Sequence, residues 1–359
     1  MIKNKEFRNE GALAAAPQKG RRSMQNFVVS GYGGEKAIAC YRLENGAPVR
    51  VWAASGVESP SFLCADGEWI FAASEQSGKG AIVSFRRQAD GLNKVDELPI
   101  QGGLLCHLSY LPQYNALYGA CYETGHVVAV QVENGRFGRV LNDFVLDPQD
   151  GEVTRAHCCM PDPAGQRMLV ANIALDRVYC YNIAADGQLT PNAACPYLQL
   201  PKGKGPRHIR FHPTLPVAYV MTEYSSEILV LSYQSHNGVL KLEACVSTLP
   251  KEFGGRSDGS ALVLSADGSR LYAANRGADT IAVFEVDASG SLKKVQDAPC
   301  GGHWPRHIEL SKDGAALLIA NQGSNQVVLL AVCPQTGKLL EQTAKLPFPS
   351  PSYAQDLDE

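Results

Sequence analysis

The sequence has no long apolar run, almost no excess of charge of either sign, and few aromatic residues. No stretch of about 18 consecutive apolar residues occurs, so we expect no helix that spans a bilayer. Lysine and arginine total 33 against 36 aspartate and glutamate, and this balance lacks the basic excess that nucleic-acid binding needs. The 359 residues are 45% apolar, which is ample for a core and excludes wholesale disorder.

The cysteines are poorly arranged for disulfide bonds or metal binding. They number eleven, none form a CxxC motif, and the one adjacent pair, Cys158 and Cys159, would make a strained bridge. Most lie in apolar strand-like runs, where a thiol behaves as a small hydrophobe. We therefore expect no disulfide framework, no zinc site and a cytoplasmic location. Residues 1–23 are mostly polar, and their Ala/Leu patch is too short for a signal peptide, so we expect a flexible leader.

Apolar strands and tight turns recur about every 49 residues. Each copy has an apolar strand, an Asp-Gly-type turn, a second apolar strand and a small polar residue, and then another pair of strand-like runs. The clearest copies are ALVLSADGSRLYAANRG at 261–277 and IELSKDGAALLIANQG at 308–323. Four antiparallel strands in a unit of this length are typical of a β-propeller blade. The copies align on one second-strand position, occupied by Phe27, Phe71, Tyr118, Leu169, Tyr219, Tyr272 and Leu318.

The chain length accommodates seven such units. The opening unit, NFVVSGYGG at 26–34, has no first strand of its own, and residues 351–356 can supply one. Pairing of the N- and C-terminal strands would close the ring and remove an exposed sheet edge. We therefore predict an all-β protein, a single seven-bladed β-propeller over residues 24–359. Solenoid repeats are the structural rival, but they favour helices or shorter periods.

Two sets of side chains recur where the blades should meet a central channel. Four histidines lie near the start of the first strands: His107, His157, His208 and His307. The second set follows the polar residue of each second strand: Glu75, Tyr122, Ile173, Glu223, Arg276 and Gln322. A repeated histidine can also be a structural hydrogen-bonding residue, and this interpretation is favoured for His107 and His307. At 206–208 the Pro-Arg-His context favours Arg207 as the channel residue. For Glu75 two interpretations are equally favoured, a residue of the channel wall or the partner of an ion pair.

Three segments carry a family resemblance. GPRHIRFHPTLPVAYVMTE at 205–223, ANRG at 274–277, and WPRHIELSKDG with LLIANQGSN within 304–325 resemble the seven-bladed propeller lactonases. That family includes the propeller-type 6-phosphogluconolactonases and the fungal carboxy-muconate lactonizing enzyme. The resemblance implies a site in the channel mouth that uses no metal and no cofactor. Carried over by motif, its catalytic residues are His157, Glu223, Arg207 and Arg276. The sequence departs from the family in TRAHCC at 154–159 and in GGRSDGSA at 254–261. Because of the second departure, the resemblance does not determine which lactone is the substrate.

These residues suit the hydrolysis of an anionic lactone. Either His157 or Glu223 could activate water, and two arginines could bind an anionic group and the developing oxyanion. Further candidates for substrate binding are Arg306, His107, His307 and Glu75. We predict hydrolysis of 6-phospho-D-glucono-1,5-lactone or a similar sugar lactone, which places the protein in carbohydrate metabolism and the pentose phosphate pathway. Two alternatives stay open: a muconate-type cycloisomerase that uses the same four residues, and a non-catalytic propeller that binds protein.

Overall fold

The computed structural model describes residues 24, 26–34, 37–146 and 153–357, and the predicted leader at 1–23 lies outside them. The described residues form seven antiparallel sheets. Within these ranges no helix is long and apolar enough to cross a membrane. The sheets are the predicted propeller blades; six of them have their strands in chain order from the inside outward, and in the seventh the C-terminal strand is innermost.

The strands are numbered in chain order and the blades by the strands they contain. Blade 1 consists of β29 (Pro351–Asp356), β1 (Asn26–Gly31), β2 (Ile38–Glu44) and β3 (Ala47–Ala54). Blade 2 consists of β4 (Pro60–Asp66), β5 (Trp69–Gln76), β6 (Lys79–Gln88) and β7 (Gly91–Ile100). Blade 3 consists of β8 (Leu105–Leu111), β9 (Ala116–Cys121), β10 (His126–Glu133) and β11 (Arg136–Val145), with a 3₁₀ turn at Pro112–Tyr114.

The remaining blades follow the same plan. Blade 4 consists of β12 (Ala156–Pro161), β13 (Arg167–Asn172), β14 (Arg177–Ile183) and an outer strand in two pieces, β15 (Leu189–Pro191) and β16 (Tyr197–Gln199). Blade 5 consists of β17 (Pro206–Phe211), β18 (Val217–Thr222), β19 (Glu227–Gln234) and β20 (Val239–Ser247). Blade 6 consists of β21 (Asp258–Leu264), β22 (Arg270–Arg276), β23 (Thr280–Val286) and β24 (Leu292–Pro299). Blade 7 consists of β25 (Pro305–Leu310), β26 (Ala316–Asn321), β27 (Gln326–Val332) and β28 (Leu339–Pro347), with a 3₁₀ turn at Gln322–Ser324.

The ring closes as predicted. β29 pairs with β1 in antiparallel register, so the C-terminal strand becomes the inner strand of the blade that the N-terminal part of the chain begins. The inner strands of neighbouring blades contact one another in a circuit, and β29 contacts both β25 and β4. Because residues 351–356 pair with β1, the inner edge of β1 is covered at the joint.

Apolar residues between neighbouring blades form the core, and in blades 3, 5 and 6 a tyrosine connects the blade to the next one. Tyr118 donates its hydroxyl hydrogen to the carbonyl oxygen of Gly187, and Tyr219 does the same to Gly290, both at 2.8 Å. Each acceptor lies in the outer turn of the following blade, where a positive φ suits glycine. This explains why a buried tyrosine recurs at the second-strand position.

One element of the predicted alignment is wrong by one residue. In blade 1 the residue equivalent to Phe71 is Val28 and not Phe27. Val28 pairs with Gln355 of the inner strand in the same way as Phe71 pairs with Cys64 in blade 2. Side chains alternate between the faces of a strand, so the shift by one places Phe27 on the opposite face. Val28 packs with blade 2, whereas Phe27 packs with Leu318 of blade 7.

Candidate active site

Every inner strand has an irregularity in its pairing with the second strand of its blade. The register shifts close to the start of the strand, and such β-bulges redirect a side chain. The residues at the shift are Ser61, Cys106, His157, Arg207, Ser260, Arg306 and Ser352. Six of these seven side chains line the space on the propeller axis. The fold thus brings bulge side chains from six of the seven blades to a common place.

The small bulge residues connect blades, and the large ones fill the axis. Ser260 Oγ donates to the carbonyl oxygen of Pro305 at 2.6 Å, and Ser352 Oγ donates to that of Ser61 at 2.9 Å. His157, Arg207 and Arg306 are too long for this role and extend into the space that the serines leave.

These long side chains face a cavity of about 250 Å³, called the axial cavity here. Its walls come from the starts of inner strands and the ends of second strands, where both predicted sets of residues lie. It is lined by Glu75, Leu104, Cys106, Tyr122, His157, Arg207, Glu223, Arg276 and Arg306. Two members of the predicted second set do not line it: Ile173 is fully buried, and Gln322 donates to Ser350 Oγ at 3.4 Å.

Two arginines from adjacent blades share one carboxylate oxygen. Arg207 Nε and Arg276 Nη2 each lie 3.0 Å from Glu223 Oε2. Burial alone would raise the pKa of Glu223, but the charges of Arg276 and Arg207 outweigh it and the pKa is lowered. Burial, and then the Arg276 charge, lower the pKa of Arg207 to about 10, which leaves it protonated at neutral pH. The centre of the cavity therefore holds two cations and one anion.

Three consecutive backbone carbonyls fix both guanidinium groups. Arg276 donates to the carbonyl oxygens of Asp258 at 3.4 Å and Gly259 at 2.9 Å, and Arg207 donates to that of Ser260. Any side chain at Gly259 would collide with the backbone, because an added Cβ would lie 2.1 Å from the Thr222 carbonyl oxygen. These three residues lie in the segment 254–261, which the sequence analysis identified as a departure from the family. The sequence did not indicate that their carbonyl oxygens bind the two arginines.

A third arginine has its own carboxylate. Arg306 Nη2 lies 3.5 Å from Glu75 Oε1, and Tyr32 donates to Glu75 Oε2 at 2.6 Å. The Arg306 guanidinium also lies 5.2 Å from the centroid of the Tyr32 ring. Glu75 is therefore both a cavity residue and an ion-pair partner, the two alternatives that the sequence left open. Tyr32 was not among the residues that the sequence pointed to.

His157 is buried and neutral. Its side chain is 4% exposed, and burial, followed by the charges of Arg207 and Arg306, lowers its pKa well below 6.5. Its Nδ1 is buried without a partner in the described part of the chain, and its ring lies 6.0 Å from that of Tyr122.

The prediction that four histidines share one blade position is wrong for His157. His107, His208 and His307 pair with Ala120, Met221 and Ala320, immediately after the bulge, and in blade 4 that position is Cys158. His157 is itself the bulge residue, equivalent to Arg207. Alignment by histidine therefore matched the bulge residue of blade 4 with the residue after the bulge in the other three blades, and the position of a bulge is not visible in the sequence.

The three equivalent histidines form a layer beneath the axial cavity. The His107 ring lies 4.4 Å from that of Phe62, and the His307 ring lies 4.3 Å from that of Tyr353. Burial, and then the Arg210 charge, lower the pKa of His307 to about 3, so it stays neutral. Substrate contact by His107 or His307 stays a prediction, since neither lines the axial cavity and each packs against aromatic rings.

Cations held by backbone and carboxylate groups, beside a neutral imidazole, suit a reaction that develops negative charge on oxygen. Such donors need no reorganisation when an ester carbonyl becomes an oxyanion. Among the described residues, no three His, Cys, Asp or Glu side chains are grouped so as to hold a metal ion.

Comparisons with known proteins agree with the family resemblance of the sequence. Residues 26–355 match a family model described as a lactonase with a seven-bladed β-propeller. The chain is 31% identical over 291 residues to a 6-phosphogluconolactonase of Bacillus subtilis, covering 78% of this chain and 82% of that protein. It is 25% identical over 291 residues to a 6-phosphogluconolactonase of Cronobacter sakazakii, covering 80% and 84%. A solved structure of the Pseudomonas aeruginosa periplasmic gluconolactonase PpgL matches with a TM-score of 0.85 at 26% identity, covering 93% and 99%.

Proposed function

Because this chain belongs to the lactonase family of seven-bladed β-propellers, we propose that it hydrolyses 6-phospho-D-glucono-1,5-lactone to 6-phosphogluconate. Two relatives that carry the name 6-phosphogluconolactonase support this substrate. The proposed site is the axial cavity, and the reaction is the hydrolysis of a carboxylic ester.

The observation that carries the proposal is the arginine pair on one oxygen of Glu223. Arg207 is 3% exposed and Arg276 6% exposed, so both charges act in surroundings that water screens poorly. A lactone carbonyl placed between them would meet forked donors already fixed by the carbonyls of 258–260.

We assign the role of base to Glu223. Water attacks the lactone carbonyl carbon, its proton passes to Glu223, and the carbonyl oxygen becomes an oxyanion. The negative charge beside Arg207 and Arg276 then moves from carboxylate to oxyanion, so the two guanidinium groups keep an anionic partner throughout. When the ring C–O bond breaks, the proton on Glu223 passes to the leaving ring oxygen. General base catalysis of this kind contributes about 10²–10⁴ in rate.

His157 is a weaker candidate for the base on electrostatic grounds. Protonating it would place a fourth positive charge near Arg207, Arg276 and Arg306, and these charges already lower its pKa. As a neutral imidazole with Nδ1 buried, it can instead donate from Nε2 to the substrate.

The test is a lactonase assay with purified protein. Turnover of 6-phosphogluconolactone above the spontaneous rate is the expected result, with kcat/KM lowered strongly by Arg207→Ala, Arg276→Ala and His157→Ala at unchanged fold. Near-wild-type turnover in all three variants would refute the proposal. Unphosphorylated gluconolactone is the second candidate substrate, since the neighbouring structure is named a gluconolactonase. A carboxy-muconate assay tests the cycloisomerase alternative.

We also propose a cytoplasmic location, which the scattered, odd-numbered cysteines favour. One structural neighbour is named periplasmic, so cell fractionation is the deciding measurement.

A further inference from the structure

The axial cavity has three arginines and two glutamates in its walls, and every one of these charges has a partner. Glu223 holds Arg207 and Arg276, and Glu75 holds Arg306. The walls therefore carry a single excess positive charge, too little for the phosphate group of a phosphorylated lactone, which carries up to two negative charges at neutral pH.

Arg155 is a fourth cation at the same end of the channel. It immediately precedes β12 and lies two residues before His157. Its guanidinium lies 4.7 Å from the centroid of the Tyr122 ring, and Nη1 donates to the Tyr122 hydroxyl. Tyr122 lines the axial cavity, so this arginine covers the outer side of one cavity wall.

Arg155 has no carboxylate partner within 26–34, 37–146 and 153–357. Among the ion pairs of the described residues, none includes it, in contrast to the three arginines in the cavity walls. Its backbone is nevertheless firmly held: its N–H donates to Asn172 Oδ1 at 3.2 Å, and its carbonyl accepts from the Ile173 N–H at 2.9 Å. A positioned arginine with an unbalanced charge is suited to a mobile anion.

A second tyrosine lies beside this pair. Burial, followed by the charges of Tyr122 and Glu223, raises the pKa of Tyr224, and Arg155 lies close enough to oppose the shift. Tyr224 is 47% exposed, so part of its side chain is open to solvent. Arg155 and the two hydroxyl groups thus provide donors on one side of the cavity entrance.

We propose that Arg155, with the hydroxyls of Tyr122 and Tyr224, binds the phosphate of a phosphorylated sugar lactone and selects it over the unphosphorylated sugar. This inference rests on the proposed function and specifies its substrate class. The lactone carbonyl lies between Arg207 and Arg276, and the phosphate, at the far end of the six-carbon chain, lies beyond Tyr122. Arg155 is then a specificity residue that acts on binding and takes no part in proton transfer.

The test compares two substrates in three variants. For Arg155→Gln we expect kcat/KM for 6-phosphogluconolactone to fall at least tenfold more than that for gluconolactone, mainly through KM, since a charge-assisted contact of about 1.5–3 kcal/mol is lost. Arg155→Lys should recover part of the loss, because it keeps the charge. Arg177→Gln is the matched control: Arg177 also stacks on a tyrosine, at 4.8 Å from the Tyr197 ring, but this tyrosine, unlike Tyr122, does not line the axial cavity.

Equal losses for both substrates in Arg155→Gln, or no loss for either, would overturn the inference. A calorimetric titration separates it from the proposed function. If the wild type hydrolyses neither lactone, the proposed function fails. Tighter binding of 6-phosphogluconate than of gluconate, abolished by Arg155→Gln, would still support the phosphate site, and equal binding of both would refute it.

Discussion

Replacing Glu223 by glutamine separates the catalytic role of this carboxylate from its structural role. Glutamine keeps an acceptor oxygen of nearly the same shape but cannot take a proton at neutral pH. The change leaves Arg207 and Arg276 without the anion that now lies 3.0 Å from each. It therefore removes the proposed base and the counter-charge in one step.

The two consequences differ in size. Loss of one partner of a buried ion pair costs about 3–5 kcal/mol of stability, but here both arginines keep backbone acceptors at 258–260. We expect a destabilisation of about 1–3 kcal/mol, hence a Tm lower by a few degrees. The loss of a general base should reduce kcat by at least about a hundredfold.

The assay is lactone turnover measured well below the Tm of the variant, together with a thermal unfolding curve. Glu227→Gln is a matched control, because Glu227 lies in the same blade and pairs with Lys204 away from the axial cavity. A Glu223→Gln variant that keeps more than a tenth of wild-type kcat would refute the assignment of the base. A larger loss in His157→Gln than in Glu223→Gln would reverse it.

The remaining predictions concern pH, a glycine and the ring closure. Because the Glu223 pKa is lowered and its ionised form is active, kcat/KM should stay constant as the pH falls from 8 to about 6 and decline only near or below the ordinary carboxyl range; an acid limb centred at pH 6.5 or above would contradict this. Gly259→Ala should lower the Tm and kcat/KM together, since the new Cβ meets the Thr222 carbonyl oxygen and overpacking costs about 1–3 kcal/mol; Gly254→Ala, where nothing lies within 4 Å of an added Cβ, is the control and should change neither. Removing residues 351–359 should leave the inner edge of β1 without a partner strand and produce aggregates in size-exclusion chromatography, and a stable monomer would contradict the role of β29 in closing the ring.

The fold was predictable from the sequence because a blade is a local unit. Its four strands are consecutive, its turns carry Asp-Gly or Asn-Gly pairs, and the period of about 49 residues repeats the pattern. Even the joint between residues 351–356 and the opening strand followed from counting strands, since one copy lacked its first strand. The error at Phe27 arose in that incomplete copy, where no turn fixes the register.

The site was predictable only to the level of residue identity. His157, Arg207, Glu223 and Arg276 all line the axial cavity, although sequence motifs cannot show that two guanidinium groups share one oxygen. The bulges were invisible in the sequence, so His157 was grouped with three histidines that lie in another layer. Backbone carbonyls have no sequence signature either, so the hydrogen bonds from Arg207 and Arg276 to 258–260 could not be predicted.

The most direct test is a crystal structure of the Glu223→Gln variant with 6-phosphogluconate bound. We expect the product carboxylate between the guanidinium groups of Arg207 and Arg276, and the phosphate at Arg155. Product bound outside the axial cavity, or turned so that neither arginine of the pair contacts its carboxylate, would contradict the account.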